Sequence, residues 1–159
     1  MIKRIFGVLA VFLAVGFIFV CLTQEVGAES NAGDLIAIIS KAEQGDARAQ
    51  YNLGHMYEHG EVVPRNFEKA IYWYTKAAEQ GDKMAQFNLG AMHDTEENFL
   101  QDYVTAYAWY NLAASQGDEI ATVKKDILLE KMSPRQIEEG QKLSRELFNK
   151  INSQLTSSN

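Results

Sequence analysis

The feature that most constrains the fold of this chain is an internal repeat with a period of 36 residues. The sequence AEQGD at 42–46 recurs at 78–82, and ASQGD follows at 114–118. Aligning 42–77 with 78–113 gives 16 identities in 36 positions. A period in the thirties is typical of proteins in which each unit is a pair of antiparallel helices. The sequence therefore predicts a stack of helix pairs.

The apolar spacing inside each unit supports this prediction. Apolar residues of the first unit recur at steps of three and four, at Ala49, Leu53, Met56 and Tyr57 and again at Ala70, Trp73, Tyr74 and Ala77. Glycine followed by aspartate at the unit boundaries fits a left-handed helix end and then the cap of the next helix. Strand signals are absent from the sequence apart from two valines at 62–63. We therefore predict an all-α chain with seven helices, at about 34–43, 47–59, 67–79, 83–93, 103–115, 119–131 and 134–154.

The third unit, at about 114–132, begins like the other two and then departs from them. Lys125 and Asp126 replace the Leu-Gly pair found at 53–54, so the close helix approach that glycine permits is not required there. A new helix is predicted from Pro134, with the preceding serine as its N-cap. We expect the last helix to cap one end of the stack and the first helix to cap the other, because a single helix pair cannot bury its own apolar face.

Residues 1–28 have the organisation of a bacterial export signal. Two basic residues precede an apolar run from Ile5 to Leu22, and small residues at Val26 and Ala28 precede a predicted cleavage site. We predict cleavage there and a periplasmic or secreted repeat domain at 29–159. The apolar run has 18 residues, near the minimum for crossing a bilayer. The alternative is therefore an inner-membrane anchor that leaves the domain facing the periplasm.

The charge balance argues against one broad class of function. The chain has 15 basic and 21 acidic side chains, for a formal charge of −6. Without residues 1–28, which hold two basic residues and one acidic residue, 13 − 20 gives −7. An acidic domain is not attracted to phosphate backbones, so we predict no nucleic-acid partner. The one cysteine, Cys21, lies in the export segment, so the rest of the chain can form no disulfide.

The repeated residues resemble the unit of the Sel-1-like repeat family, a branch of the tetratricopeptide-type α-solenoids. The first unit agrees with the family pattern at Ala49, Leu53, Gly54, Tyr57, Gly60, Val63, Lys69, Ala70, Trp73, Lys76, Ala77, Ala78 and Gly81. The second unit agrees at Ala85, Leu89, Gly90, Ala106, Trp109, Ala113, Ala114 and Gly117, and departs at His93 and Glu96. The resemblance covers about 34–150 of the chain. It implies a right-handed superhelix of antiparallel helix pairs with a capping helix at each end.

Two histidines are the main candidates for metal binding. His55 and His59 have the i, i+4 spacing that can place two imidazoles on one ion, with Glu58 between them in sequence. The second unit has Ala91 and Thr95 at the equivalent positions. We therefore interpret the pair as part of a variable, solvent-facing helix edge and predict no metal site.

The sequence also offers no recognisable catalytic setting. It contains no G-x-S-x-G, no phosphate-binding glycine loop and no zinc-protease helix. The acidic loop Asp94–Gln101 lacks the glycine and the terminal glutamate of an EF-hand, so we predict a solvated loop. Secreted relatives linked to β-lactam chemistry resemble one another through paired cysteines in every repeat, which this chain lacks. We therefore predict no catalytic residues and no cofactor.

The aromatic residues divide into two groups. Trp73, Tyr74, Trp109 and Tyr110 repeat at the core positions of the family, and the resemblance implies that they pack in the core. Tyr51 and Phe87 lie two residues before the core leucine, on a helix that in this family usually lines the concave face. They form either a partner-binding strip or a layer buried between units, and both interpretations stay open. The strip would consist of Tyr51, Asn52, His55, Glu58, Phe87 and Asn88.

These observations predict binding rather than catalysis. Stacked helices present an extended surface that suits a protein or a peptide. We predict an exported scaffold that holds a protein or peptide of the cell envelope or of a host in a concave groove. One alternative is a cell-envelope factor that binds peptidoglycan or a peptidoglycan-processing enzyme, and another is a small hydrolase. A membrane is a partner only if the N-terminal segment is retained as an anchor.

Overall fold

The computed structural model describes residues 33–95 and 101–157. The predicted export segment at 1–28, with Cys21 and the predicted cleavage site, lies outside the described residues, as do residues 96–100 of the predicted acidic loop. The chain divides into two compact parts at Ala37, and the first of them is described only at 33–37, which are helical. The second part begins at Ile38 and contains everything discussed below apart from residues 33–37 of the first helix.

All regular structure in the described residues is helical. No helix among them is both long enough and apolar enough to cross a membrane. The all-α prediction is confirmed, and the predicted helix ends agree to within one residue except at the last helix, which continues three residues beyond position 154. The helices are α1 at 33–43, α2 Ala47–His59, α3 Phe67–Ala78, α4 Lys83–Asp94, α5 Tyr103–Ser115, α6 Glu119–Lys131 and α7 Pro134–Ser157.

The turns that lead into the first helix of each unit have the same construction. Each contains a glycine with a positive φ of 96°, 87° or 81°, namely Gly45, Gly81 and Gly117. Glycine adopts this left-handed conformation without the steric cost of a Cβ atom. The aspartate that follows accepts the backbone N–H three residues later at 2.7, 2.8 or 2.9 Å, at Asp46, Asp82 and Asp118. The predicted role of the Gly-Asp pairs is confirmed.

The second helix of each of the first two units also has a side-chain cap. Asn66 accepts the backbone N–H of Lys69 at 2.9 Å. Asp102, 36 residues later, accepts the N–H groups of Val104 and Thr105 at 3.0 and 3.2 Å. Burial alone would raise the pKa of Asp102, but hydrogen bonds from the Thr105 hydroxyl and from these N–H groups lower it below its ordinary value. The cap is therefore a carboxylate at neutral pH.

A glycine and a tyrosine bring the two helices of each regular unit together. A Cβ atom added at Gly54 on α2 would lie 2.7 Å from Cδ1 of Tyr74 on α3. A Cβ atom added at Gly90 on α4 would lie 2.5 Å from Cδ1 of Tyr110 on α5. Contacts this short do not occur in a relaxed structure, so only glycine allows the fully buried ring to pack against the helix backbone.

The last helix uses the same device at a different place. α7 packs mainly against α5. A Cβ atom added at Gly140 on α7 would lie 2.8 Å from Cδ1 of Tyr107 on α5. Asn111 on α5 donates to the hydroxyl of Ser144 on α7 at 2.9 Å. α7 therefore covers α5, the second helix of the second unit, which agrees with its predicted capping role.

Two buried glutamines connect one unit to the next. Gln50 is 4% exposed, and its amide donates to the carbonyl of Ala42 at 2.9 Å. Its side-chain oxygen accepts a 2.7 Å hydrogen bond from the amide of Gln80. The same arrangement recurs 36 residues later, where Gln116 donates to Gln86 at 2.9 Å. Each glutamine amide both donates and accepts hydrogen bonds. The pairs therefore supply partners to buried polar groups that would lower the stability of the fold if they had none.

One prediction about the core is wrong in part. Tyr74, Tyr110 and Trp109 are buried as expected, but Trp73 is only half-buried. Trp109 belongs to a core cluster that Ile151 of α7 completes. Trp73 instead lies edge-on to its exposed neighbour Tyr72, with ring centroids 5.0 Å apart. Equivalent tryptophans thus differ in burial, and α7 packs mainly against α5, the helix that carries Trp109.

Candidate functional site

The first helices of the three units present one equivalent face. Positions at relative offsets of 0, 3, 4, 7 and 11 lie on one side of a helix. On α2, α4 and α6, with Thr95 directly after the end of α4, these positions are 36 residues apart, and none of them is buried. This set is named the first-helix surface. It consists of Arg48, Tyr51, Asn52, His55 and His59; Met84, Phe87, Asn88, Ala91 and Thr95; and Ile120, Val123, Lys124, Ile127 and Lys131.

The structure places the predicted aromatic pair between the core and the solvent. Tyr51 and Phe87 are both half-buried, and each packs against the edge of a core cluster. The ring centroid of Tyr51 lies 5.7 Å from that of Tyr74, and that of Phe87 lies 5.7 Å from that of Tyr110. Each ring therefore contributes to the core and to the surface, and neither of the two interpretations describes it alone.

The other predicted strip residues differ from one another. Asn52 is exposed, whereas Asn88 and His55 are half-buried. Glu58 lies next to this surface and already has a partner, because its carboxylate accepts a 2.6 Å hydrogen bond from the hydroxyl of Tyr74. The structure therefore brings the asparagines and the histidine together with the aromatic pair, and it ties Glu58 to the core.

The two histidines stack on each other. The ring centroids of His55 and His59 are 4.2 Å apart with an interplanar angle of 20°. Nδ1 of His55 lies 3.5 Å from a carboxylate oxygen of Glu61, and Nδ1 of His59 lies 3.9 Å from one of Glu58. Within the described ranges, no group of three or more His, Cys, Asp or Glu side chains could hold a metal ion.

Three cavities open along the first-helix surface. The first, of about 280 Å³, is lined by Tyr51, Asn52 and His55 with two neighbours. The second, of about 310 Å³, is lined by Glu58, His59, Arg65, Phe67 and part of α4. The third, of about 500 Å³, is lined by Asp94, Thr95, Gln101, Tyr103 and part of α6. The second and third cavities share Ala91 and Thr95, so they adjoin each other.

The second and third cavities are equivalent sites in successive repeats. The second cavity is lined by Glu58, His59, Arg65 and Phe67. The residues 36 positions later, in the same order, are Asp94, Thr95, Gln101 and Tyr103, and they line the third cavity. In the second cavity the guanidinium of Arg65 lies 4.2 Å from the Phe67 ring centroid. In the third, the ammonium of Lys131 lies 5.7 Å from the Tyr103 ring centroid. The aromatic wall is conserved between repeats while the cation over it comes from a different element.

The two cavities differ in how a buried tyrosine hydroxyl is satisfied. Tyr74 donates to Glu58, and its pKa is raised above the ordinary value by burial first and by that carboxylate second. Tyr110 lines the third cavity and is fully buried, and its hydroxyl makes no hydrogen bond of ordinary length with a described residue, although it faces the carboxylate of Asp94. Burial first, and then the charge of the Asp94 carboxylate and a hydrogen bond toward it, raise the pKa of Tyr110. Both hydroxyls are therefore neutral donors at physiological pH.

Two lysine side chains of α6 belong to the described lining of the third cavity. Lys124 and Lys131 of α6 line it and are exposed. Within the described residues, neither forms an ion pair with a carboxylate. Among the described residues of the lining, Asp94 is the acidic side chain beside these two lysines. We name this the lysine cavity.

Only part of this surface is predicted by the sequence. The predicted strip contains Tyr51 and Phe87 but not Val123, the residue 36 positions after Phe87, because the third unit loses the family pattern at 125–126. Val123 is 58% exposed and lies in the same row. Shifting the predicted strip by one further period would have found it. Lys131 was missed for the same reason, since it is the third-unit equivalent of His59.

Comparison with known proteins connects these repeats to a described family. Residues 47–82 and 83–118 match the family model of the Sel1 repeat. The matched segments keep the period of 36 residues and begin five residues after the predicted units. A sel1-like repeat-containing protein of Acanthamoeba polyphaga mimivirus is 53% identical over 36 residues, which are 23% of this chain and 6% of the viral protein.

Two solved structures have a similar fold. One is c5321, a protective antigen present in uropathogenic Escherichia coli strains, which displays an SLR fold. It aligns with a TM-score of 0.69 and 30% identity over 74% of this chain and 25% of that protein. The other is a Sel1 repeat protein from Oxalobacter formigenes, with a TM-score of 0.55 and 29% identity over 76% of this chain and 90% of that one. This chain thus spans a quarter of the antigen's length and a small fraction of the viral protein's.

Proposed function

Because this chain belongs to the Sel1-like repeat family, whose members are typically protein-interaction scaffolds, we propose that it binds an extended segment of a partner protein on the first-helix surface. The observation that carries the proposal is that accessible side chains recur on the first helices with the 36-residue period of the repeat. The same five positions remain accessible on α2, α4 and α6. A surface that repeats along a stack suits a ligand that is itself extended.

The side chains of this surface are those that a peptide site uses. Tyr51 and Phe87 are held in place by the buried tyrosines behind them, so they can bury area against a ligand with little loss of conformational freedom. Asn52 and Asn88 lie one residue after these rings and carry amides that can pair with an extended backbone. On α6, Val123 and Ile127 are exposed and continue the apolar row.

The proposal includes export and excludes catalysis. The order of basic residues, apolar run and small residues at 1–28 supports removal of that segment and release of the remaining chain outside the cytoplasm. Binding requires no nucleophile or cofactor, in keeping with the generally non-catalytic nature of the family. N-terminal sequencing of the protein from an envelope fraction should begin at Glu29-Ser30-Asn31. A product that starts at Met1 in the membrane fraction would contradict export by cleavage.

Binding is tested by capture with the wild-type chain, identification of the captured protein, and mapping of the bound segment with overlapping peptides. Changing Tyr51 and Phe87 together to alanine should weaken binding of the mapped peptide by about 2 kcal/mol, or about 30-fold. Tyr72→Ala is the matched control, because Tyr72 is an exposed aromatic on α3 outside the surface. Equal affinity of the double variant and the control would remove the first-helix surface as the site.

A second variant covers the case in which the double alanine variant loses its fold. Met84 and Val123 belong to the surface and are 47% and 58% exposed. Their replacement by glutamate leaves the core intact and places a charge in the apolar row. We expect the folded Met84→Glu, Val123→Glu variant to lose at least about tenfold in affinity for the same peptide, because a charge must then be desolvated on binding. Undiminished affinity would overturn the proposal.

A further inference from the structure

Two adjacent rows of unlike chemistry cross the first-helix surface in the N-terminal halves of its helices. The anchor row consists of Tyr51 on α2, Phe87 on α4 and Val123 on α6, and the donor row, one residue later on each helix, consists of Asn52, Asn88 and Lys124. The anchor row offers apolar contact, since both rings are half-buried and Val123 is exposed. Asparagine both donates and accepts, whereas a lysine ammonium only donates. Hydrogen-bond donation is therefore the property that the donor row shares.

The donor row is accessible, although one of its members has a second contact. Asn52 and Lys124 are exposed. Asn88 is half-buried, and its amide faces the hydroxyl oxygen of Tyr74. Because a primary amide has two N–H groups, Asn88 can still donate one of them to a ligand. Each first helix therefore supplies one anchor and at least one donor.

The step from one first helix to the next is fixed close to these rows. Gln50 and Gln86 immediately precede the first two anchors. Gln50 accepts from Gln80 in the turn before α4 at 2.7 Å, and Gln86 accepts from Gln116 in the turn before α6 at 2.9 Å. Neighbouring helices in a packed layer lie about 8–10 Å apart. The same step of roughly this length therefore separates successive members of each row.

This step favours one conformation of the bound chain. In polyproline II every third side chain returns to the same side after about 9.3 Å, and the backbone carbonyls make no internal hydrogen bonds. In a β-strand the side chains on one side recur after about 6.7 or 13 Å, which misses the step. Two turns of an α-helix, about 10.8 Å, approach the step, but internal hydrogen bonds occupy the helix carbonyls. Polyproline II is therefore the conformation that fits both rows.

We infer that the ligand of the first-helix surface is a polyproline II segment with an apolar residue at every third position. Its apolar side chains contact Tyr51, Phe87 and Val123, and its backbone carbonyls accept from the donor row. Proline lacks an N–H group but keeps its carbonyl and favours this conformation, so the positions between the apolar residues accept proline. The inference rests on the proposed function, because it specifies the class of extended segment that binds there.

The experiment measures the binding of labelled ten-residue peptide pools to the full chain by fluorescence anisotropy. Each pool has three fixed leucines that are two, three or four residues apart, with mixed alanine, serine and glutamine at the other positions. We expect the pool with a spacing of three to bind at least about tenfold more tightly than the other two, because only its leucines meet all three anchors.

A second pair of pools separates polyproline II from a β-strand. Both keep the leucine spacing of three, and one has proline where the other has glycine at the positions between. Proline should tighten binding at least about threefold, because a chain already in the bound conformation loses less conformational entropy. Tighter binding of the glycine pool would contradict the inference, since a β-strand ligand needs the N–H groups that proline lacks.

One variant tests the donor row and has a matched control. Asn52→Asp keeps the shape of the side chain but removes its N–H donors, so binding of the proline pool should weaken about tenfold as two acceptors face each other. Asn149→Asp makes the same change at an exposed residue of α7, outside the surface, and should leave the affinity unchanged. An equal loss in both variants would assign the effect to net charge and remove the donor row from the account.

The spacing result separates this inference from the proposed function. Tightest binding at a spacing of two or four, or equal binding of all three pools, would overturn the polyproline II segment and leave the proposed function standing. Failure of every pool to bind would also overturn the inference. The proposed function would then still be decided by the mapped peptide of the captured protein and the Tyr51, Phe87 double variant.

Discussion

The first and second repeats are built on the same framework but end differently at their boundaries. In both, a glycine on the first helix contacts a buried tyrosine on the second, and in both an aromatic side chain at the start of the second helix lies beneath a cation. The hydroxyl of Tyr74 donates a 2.6 Å hydrogen bond to Glu58, whereas that of Tyr110 makes no hydrogen bond of ordinary length with a described residue, although it faces Asp94. One methylene group, the difference between Glu58 and Asp94, separates the two states. The comparison teaches that the residues shared by the repeats specify packing, and that the residues that differ specify what remains available for binding.

The largest expected difference between the repeats lies in their tryptophans. Trp109→Ala should lower the free energy of unfolding by about 3–5 kcal/mol, since it removes a buried indole from a cluster that includes Ile151. Trp73→Ala should lower it by about 1–2 kcal/mol, because the half-buried indole has less area to lose. Urea denaturation of both variants measures the two values. Equal losses would mean that packing of α7 against α5 does not make Trp109 more important for stability than Trp73.

The glycine contacts test whether the shared framework is equally tight in both repeats. Gly90→Ala should cost about 2 kcal/mol net, because overpacking against Tyr110 exceeds the gain in helix propensity. Gly54→Ala should cost slightly less, since its added Cβ would lie 2.7 Å rather than 2.5 Å from the ring. Gly33→Ala is the control, because a Cβ there meets nothing within 4 Å. A stabilised Gly90→Ala variant would show that the tyrosine moves aside easily.

The tyrosine hydroxyls give the sharpest contrast. Tyr74→Phe should lower the free energy of unfolding by about 1–2 kcal/mol, because it removes a hydrogen bond to a carboxylate and leaves Glu58 without that donor. Tyr110→Phe should leave stability unchanged or raise it slightly, since its hydroxyl has no described partner to lose. Thermal unfolding at one pH compares them directly. If Tyr110→Phe lowers the free energy of unfolding more than Tyr74→Phe does, the hydroxyl of Tyr110 makes a stabilising hydrogen bond and this account is wrong.

The same contrast predicts the alkaline limit of stability. Both tyrosines have pKa values raised in the folded protein, chiefly by burial, above the ordinary value of 10.0. Below that value both states of the chain hold the phenolic protons, and above it only the unfolded state releases them. Stability should therefore fall as pH rises above about 10, by about 1.4 kcal/mol per pH unit for each tyrosine. Replacing either tyrosine by phenylalanine should make the decline shallower.

The smallest expected change in stability should convert the second repeat to the state of the first. Asp94→Glu supplies the missing methylene, and the longer carboxylate should reach the hydroxyl of Tyr110. We expect stability to rise by about 0.5–1 kcal/mol. Urea denaturation measures the change, and an Asp94→Glu variant that is no more stable than wild type would contradict this account.

The helices were predictable because the signals that set them are local. The capping aspartates at 46, 82 and 118 and the glycines before them determine where helices begin and end, whatever lies beyond the unit. The burial of Trp73 was not predictable from its repeat position. It depends on a helix that is distant in sequence. α7 is positioned against α5 by the contact of Gly140 with Tyr107, and this contact does not follow the period of the repeat.

The candidate site was predictable to the extent that its residues follow the period. The aromatic pair at Tyr51 and Phe87 was found because the shared leucine fixed its register. The lysine cavity was not found, because its lining combines residues of two repeats with Lys124 and Lys131 from a unit that has lost the pattern. The role of Gln50 and Gln86 was also missed, since a repeated glutamine looks the same in sequence whether it lies in a core or on a surface.

The glutamine pairs have a consequence for how such a chain can grow. Each pair joins the first helix of one unit to the start of the next unit, and the buried glutamine of the pair also donates to the carbonyl eight residues before it, so every boundary presents the same donors and acceptors. A duplicated segment of 36 residues inserted at Gly81-Asp82 would find matching partners on both sides. An insertion after Lys131 would not, because α7 is fitted to α5. Lengthening by gene duplication is thus confined to the interior of the array, and α7 would move outward unchanged with each added module.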